Sequence, residues 1–241
     1  MRVLIAAALV TLGAMTLPAV ADDADKPGWA GPYIGLHAGY GWGRASTHDD
    51  MNDWCSPADV ACIKKYVGPF DFDVKGAFGG ITAGYNFQYG MLVFGPEVEA
   101  GYMNVVGNRK TDSSNPAKYQ TLEVDGGWYA LLGGRIGLGF DHTLIYGKGG
   151  WVYWDTDITQ TTTNPGYKTN GTGAIDGWAY GGGIEHMLGE GWSLKVEYLH
   201  MDFGGNSGDQ TSVSDPPIGH VYENHTDLTV DTVKVGINRR F

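Results

Sequence analysis

The sequence predicts an all-β fold, a transmembrane barrel of eight antiparallel strands in up-and-down order. Three observations carry this prediction. Eight segments alternate apolar and polar residues with the two-residue period of a strand. Their connections alternate between very short turns and polar loops of about twenty to thirty residues. The chain ends inside the last segment, on the aromatic residue Phe241. Together these features are typical of a barrel in the outer membrane of a Gram-negative bacterium.

The N-terminal 21 residues predict a signal peptide, which leaves residues 22–241 as the barrel domain. A positive start at Arg2 precedes an almost wholly apolar run, and small residues then stand at positions 19 and 21, which predicts cleavage between Ala21 and Asp22. The apolar run has about fifteen residues, whereas a helix that spans a bilayer needs about twenty. We therefore expect export rather than anchoring by this segment.

Composition excludes some classes of function. Cleavage removes Arg2, one of the 16 basic residues, and none of the 27 acidic ones, so the mature chain carries 15 bases against 27 acids. Such acidity argues against nucleic acid as a partner, because phosphate binding needs a basic surface. Glycine makes up 39 of the 241 residues, roughly twice its usual share. Abundant glycine and aromatic residues, without a second long apolar run, favour closely paired strands over membrane helices.

The first four segments each have an apolar face and a polar or glycine-rich face. In the first, Leu36 and Tyr40 belong to the apolar face, whereas His37 and its neighbouring glycines lie on the other. The alternation predicts strands over Pro32–Trp42, Ala77–Gln88, Leu92–Tyr102 and Gly127–Phe140.

The last four segments follow the same pattern, with predicted strands over Thr143–Trp154, Ala174–Leu188, Trp192–Phe203 and from about Asp227 to the C-terminus. The fifth segment is the least clear. Lys148 is its only charged residue, which favours turning Ile145, Trp151 and Tyr153 outward.

The connections predict both closure and orientation. They are short after the second, fourth and sixth strands and long after the others, so the turns and both termini are expected on the periplasmic side and the long loops outside the cell. In lipid every backbone N–H and C=O must be paired, so the sheet must close on itself. Eight tilted strands suffice for this.

The alternation assigns nine charged side chains to the lumen. They are four acids and five bases, which can pair with one another: Glu97, Glu99, Arg135, Lys148, Glu185, Lys195, Glu197, Lys234 and Arg240. An eight-stranded barrel is only wide enough to be filled by side chains, and buried charges there must be paired. One interpretation is a core of ion pairs that replaces a hydrophobic core. The other is a narrow water-filled passage with a charged lining. The sequence leaves both open.

Other candidate sites have a structural explanation. Cys55 and Cys62 are expected to form a local disulfide in an exported chain, because no further Cys or His stands nearby to complete a zinc site. Glu97 and Glu99 could suggest acid–base catalysis, but on one strand both point into a lumen that contains cations. His200 and Asp202 could form part of a hydrolytic site, although no serine stands beside them. We expect no catalytic, cofactor or metal site.

Several segments resemble one known family. The motifs are WAGPYIGLHAGYGWG at 29–43, FGGITAGYNFQYGMLVFGPEVE at 78–99, GRIGLGF at 134–140 and WSLKVEY at 192–198, together with the terminal strand. They resemble the small porin-like surface antigens of rhizobia, Brucella and Bartonella. The resemblance implies an eight-stranded barrel without a peptidoglycan-binding domain, a role in envelope stability, and no catalytic residues. The chain departs from the family at Arg239, where an aromatic residue is usual.

The terminal strand and the loops predict partners. Val233, Val235, Ile237 and Phe241 form an outward apolar series that we interpret as the signal for the barrel-assembly machinery. Outer-membrane lipid and lipopolysaccharide are the other expected partners, and the chain is expected to be a monomer. The leading hypothesis is a non-enzymatic protein of the envelope and cell surface. The alternatives are a narrow porin-like channel for small solutes or ions and a lipid-modifying barrel enzyme.

Overall fold

A computed structural model describes residues 28–50, 70–110, 120–156, 158–162, 173–211 and 221–241. All regular elements in these ranges are strands. The strands are β1 (Gly31–Asp50), β2 (Phe70–Tyr89), β3 (Leu92–Met103), β4 (Gly107–Lys110), β5 (Gln120–Val124), β6 (Gly127–Phe140), β7 (Thr143–Asp155), β8 (Ile158–Thr162), β9 (Ile175–Gly189), β10 (Trp192–Thr211) and β11 (Val221–Arg240).

Eight of these strands form the predicted closed barrel. Going around it, the order is β1, β11, β10, β9, β7, β6, β3 and β2, and every neighbouring pair is antiparallel. The last strand pairs with the first along nearly its whole length, from Tyr33 opposite Arg240 to Asp50 opposite Glu223. The fold class predicted from the sequence is therefore confirmed.

The strands continue beyond the predicted ends on the extracellular side. β10 reaches Thr211 and β11 begins at Val221, inside what the sequence suggested was a polar loop. A second correction concerns β4, β5 and β8, which form a separate three-stranded sheet within predicted loops. Above the bilayer neither face of a strand needs to be apolar, so the alternation that reveals the barrel strands fades while backbone pairing continues.

The turns at the periplasmic end are as short as predicted. Two residues separate β2 from β3, β6 from β7 and β9 from β10. Gly90, Asp141 and Glu190, which open these turns, all have positive φ, and Gly191 follows with φ 79°. Positive φ at the central residues is the mark of hairpin turns whose twist matches that of the strands.

The outer face of the barrel is apolar. Its exposed side chains include Leu36, Leu132, Ile136, Ile184 and Val235, and aromatic residues flank them towards both ends. β7 follows the expected orientation, with Ile145 and Trp151 exposed and Lys148 buried. Such an outer band is what lipid contact requires. In the part of the chain that the structure describes, no helix is long and apolar enough to cross a membrane.

Candidate functional site: the barrel lumen

The extracellular half of the lumen is a hydrophobic core. Inward side chains from the extracellular ends of the strands pack into one buried cluster, in which the ring centres of Trp154 and Phe203 lie 5.6 Å apart. The cluster also includes Phe78, Met103, Leu131, Val152, Ile175, Leu199, Met201 and Val230. The interpretation in which ion pairs replace a hydrophobic core is therefore wrong for this half of the barrel. The hydrophobic core lies above the ion pairs along the barrel axis.

Below this core, three buried glutamates surround Lys148. Its Nζ donates to Glu97, lies 2.6 Å from Glu99 Oε1 and lies 3.3 Å from Glu197 Oε1. The Nζ atom of Lys234 lies 2.6 Å from both Glu99 Oε1 and Glu197 Oε1. Strands β3, β7, β10 and β11 thus meet across the lumen through charge-assisted hydrogen bonds, which are stronger than neutral ones.

A second group of polar residues surrounds Glu185, closer to the periplasm. Arg135 Nη1 donates to Glu185 Oε2 over 2.8 Å and lies 3.5 Å from Glu97 Oε2. Glu185 Oε1 accepts from Ser193 Oγ at 2.5 Å and from Asn238 Nδ2 at 2.9 Å. The Glu185 carboxylate on β9 therefore has partners on β6, β10 and β11, and these hydrogen bonds join four strands.

Two tyrosines enclose the guanidinium group of Arg135. Its Cζ lies 4.3 Å from the centre of the Tyr33 ring and 5.2 Å from that of Tyr146. The two hydroxyls donate hydrogen bonds to glutamates, Tyr33 to Glu97 Oε2 at 2.5 Å and Tyr146 to Glu197 Oε2 at 2.7 Å. Cation–π contact and hydrogen bonding therefore link the two groups of charges.

Residues 28–30, which precede β1, cover the periplasmic end of the lumen. Trp29 is buried against Val93, Leu144, Tyr146 and Met187. Its backbone N–H donates to Gln88 Oε1 at 2.5 Å, and its carbonyl accepts from Asn86. A third apolar layer therefore lies beneath the charges.

The structure places eight of the nine predicted lumenal charges in the buried interior and one at its edge. Arg240 is half-buried, donates to the Gly28 carbonyl and lies with its guanidinium carbon 4.8 Å from the Trp29 ring. We expected Arg240 to pair with a lumenal glutamate, but among the described residues it forms no such ion pair. Lys195 is buried, yet its nearest carboxylate oxygen, Glu99 Oε1, is 3.8 Å away.

Neutral polar residues complete the lumen, and most of them were not predicted from the sequence. His37 lies between Thr82, at 2.9 Å from Nδ1, and Tyr129, at 2.5 Å from Nε2. Tyr33, Tyr146, Asn86, Ser193 and Asn238 also bind lumenal charges. All stand at inward positions of the two-residue alternation, so position in the strand was the signal that could have found them.

Two kinds of site considered from the sequence, a metal site and a hydrolytic site, can be compared with this geometry. The carboxylates of Glu97, Glu99 and Glu197 come within 4.8 Å of one another, as metal ligands would. Lys148 and Lys234 lie between them and already supply the compensating positive charge.

His200 faces outward, and its Nδ1 lies 2.8 Å from Asp231 Oδ1 instead of pairing with Asp202. Tyr198 donates to the same Asp231 oxygen at 2.6 Å. Asp202 itself accepts from the Gly204 backbone N–H. The suspected pair of His200 and Asp202 is therefore not formed.

The terminal strand has the predicted orientation, with Val233, Val235, Ile237 and Phe241 exposed on the outer face. Arg239, at the unusual penultimate outward position, lies with its guanidinium carbon 5.4 Å from the centre of the Trp192 ring. Cys55, Cys62, Ala21 and Asp22 lie outside the described residues, so the disulfide and the cleavage site remain predictions.

Comparison with known proteins agrees with this architecture. Residues 5–241 match the family model for the outer membrane protein beta-barrel domain. The 31 kDa outer-membrane immunogenic protein of Brucella melitensis biotype 1 is 26% identical, and the match covers 98% of this chain and 96% of that protein. A 25 kDa outer-membrane immunogenic protein of the same organism is 30% identical, over 80% of this chain and 74% of the relative.

Among solved structures, OprG from Pseudomonas aeruginosa superposes with a TM-score of 0.53 at 14% identity, covering 88% of this chain and 97% of that one. At this identity the likeness concerns the fold alone. The family model, the relatives and the apolar outer band agree on location and architecture, and the resemblance inferred from the sequence is confirmed. The chain belongs to the outer-membrane β-barrel family and is an outer-membrane protein.

Proposed function

We propose that the protein is a non-enzymatic component of the outer membrane that supports envelope integrity and determines surface properties, with a lumen that does not conduct. The observation that carries the proposal is the filling of the lumen. A hydrophobic core, a layer of ion pairs and a cluster around Trp29 follow one another along the axis. Water-filled passage of solutes would require all three layers to open.

The outer surface supports the same proposal. Large apolar side chains contact lipid around the barrel, and the described extracellular ends carry more acidic than basic residues. Asp73, Asp155, Asp176 and Asp202 are exposed there, beside Arg44 and Lys75. We propose that these ends and the long loops face lipopolysaccharide and the medium. Since two relatives are named outer-membrane immunogenic proteins, we further propose that the loops are surface antigens.

Assembly is proposed to depend on the C-terminal strand. It pairs with β1 and β10, so it must be positioned before the barrel can close. Its outward residues Val233, Val235, Ile237 and Phe241 would be recognised by the barrel-assembly machinery, and the closed barrel would remain a monomer.

Gene deletion tests the envelope role. We expect the deletion strain to become sensitive to detergents and to large antibiotics that an intact outer membrane excludes, and the wild-type gene to restore resistance. Uptake of small hydrophilic solutes is measured in the same strains. Slower uptake with unchanged detergent resistance would contradict the proposal and support the porin-like alternative.

A further inference from the structure

Arg239 is an outward cation at the periplasmic end of the barrel. It lies on β11 between Ile34 of β1 and Trp192 of β10, and both of these neighbours are exposed on the outer face. Ile237, two residues earlier on the same face of β11, is exposed as well. The guanidinium group therefore emerges from an apolar, lipid-facing surface, where a charge needs either water or a counterion.

The barrel supplies no carboxylate for this cation. In the part of the chain that the structure describes, the side chain of Arg239 takes part in no ion pair and no hydrogen bond. It is held by a cation–π contact, in which its guanidinium carbon lies 5.4 Å from the centre of the Trp192 ring. The next residue, Arg240, instead turns inward and donates to the Gly28 carbonyl. The guanidinium N–H groups of Arg239 are therefore available to a ligand outside the barrel.

The turn between β9 and β10 fixes the depth of this guanidinium group in the membrane. A Cβ added to Gly191 would lie 3.3 Å from Nη1 and 3.5 Å from Cζ of Arg239. Gly191 also has a φ of 79°, and its carbonyl accepts the backbone N–H of Arg240 at 2.8 Å. Glycine thus both forms the turn and leaves space for the guanidinium group beside it. Because the short turns lie at the periplasmic edge of the bilayer, the guanidinium group lies at the level of the phospholipid headgroups.

A phosphodiester group suits these donors. A guanidinium group presents its N–H donors as a planar fork that binds phosphate in a bidentate manner. Stacking on Trp192 restricts the orientation of this fork before a lipid arrives, which lowers the entropy lost on binding. The exposed side chains of Ile34 and Ile237 offer an adjoining surface for the acyl chains of the same lipid.

We propose that Arg239 and Trp192 form a binding site for the phosphodiester group of a phospholipid in the periplasmic leaflet. Arg239 binds the phosphate oxygens, Trp192 holds the guanidinium group in place, and Ile34 and Ile237 contact the acyl chains. The bound lipid stabilises the periplasmic end of β11, where the last strand meets the first. The site goes beyond the proposed surface role and depends neither on that role nor on a filled lumen.

Solid-state NMR of the protein refolded into phosphatidylglycerol vesicles, with its arginines labelled with ¹⁵N, tests the proposal. Dipolar recoupling between guanidinium ¹⁵N and lipid ³¹P reports their proximity. We expect dephasing of a guanidinium signal in the wild type and its loss in Arg239→Gln. The control Arg44→Gln removes an outward arginine that lies beside Asp73, and it should keep the dephasing. Absence of dephasing in the wild type would show solvation by water alone and overturn the proposal, as would unchanged dephasing in Arg239→Gln.

Urea unfolding in two kinds of vesicle gives a second, independent measurement. Phosphatidylglycerol is compared with a neutral glucosyl diacylglycerol that has the same acyl chains and no phosphate. A ligand that binds only the folded barrel raises its stability, so Arg239→Gln should lower the unfolding midpoint in phosphatidylglycerol and leave it unchanged in the glycolipid. Equal shifts in both lipids would overturn the proposal. Inorganic phosphate added to the glycolipid vesicles should leave the wild-type midpoint unchanged, and a rise would assign the site to free phosphate instead of a lipid.

Discussion

Replacement of Arg135 by leucine removes the cation that holds Glu185. The change breaks a 2.8 Å ion pair whose two side chains are at most 1% exposed, and it removes the hydrogen bond to Asn86 at 3.0 Å. Removing one partner of a buried ion pair costs about 3–5 kcal/mol, because the remaining charge has no compensation. We expect this loss in the free energy of unfolding, measured by urea titration in lipid vesicles with tryptophan fluorescence.

A matched control and a rescue variant sharpen the test. Arg44→Leu makes the same chemical change in the exposed pair with Asp73, whose atoms lie 3.9 Å apart, and should cost less than about 1 kcal/mol. Adding Glu185→Gln to Arg135→Leu removes the stranded charge while keeping an acceptor for Ser193, so most of the loss should be recovered. Equal costs for Arg135→Leu and Arg44→Leu, or no recovery in the double variant, would refute a dry ion-pair core.

Three further predictions concern the ends and the outer face. Deletion of Phe241, which is 76% exposed, should lower surface levels in cells while changing the unfolding free energy of the refolded barrel by less than about 1 kcal/mol; normal surface levels would contradict the assembly role. Trp29→Ala should cost about 3–5 kcal/mol in the same titration, because it empties a buried cluster, and an unchanged midpoint would show that the segment does not cover the lumen. Leu132→Lys places a charge on the lipid-facing middle of β6 and should cost about 2–4 kcal/mol; no loss would contradict the assigned lipid face.

Much of the barrel was predictable because lipid imposes a strict rule on every strand. β6 was predicted with the bounds it has in the structure, since lipid contact begins and ends with the strand. Extracellular extensions such as Gly205–Thr211 of β10 were missed. Beyond the membrane the outer face of a strand contacts water and need not be apolar, so the sequence does not alternate. β5 and β8 were missed for the same reason.

The candidate site was predictable in part. Alternation assigned Lys148, Glu97 and Glu99 to the lumen, but strand period alone does not say which charges meet across it. Arg240 illustrates the limit, because its contacts with Gly28 and Trp29 depend on a segment outside the alternating pattern. The hydrophobic core in the extracellular half of the lumen was not predicted, because its residues, such as Leu131, are of the same types as the residues that face lipid.

Single-channel conductance tests the central claim, the filled lumen, most directly. The purified full chain is inserted into planar bilayers, with a known porin prepared in the same way to show that insertion and recording succeed. We expect no reproducible current steps from the wild type, because the hydrophobic, ionic and Trp29 layers leave no continuous path for water. Stable, uniform steps that depend on insertion of the folded barrel would contradict the filled lumen and establish the channel.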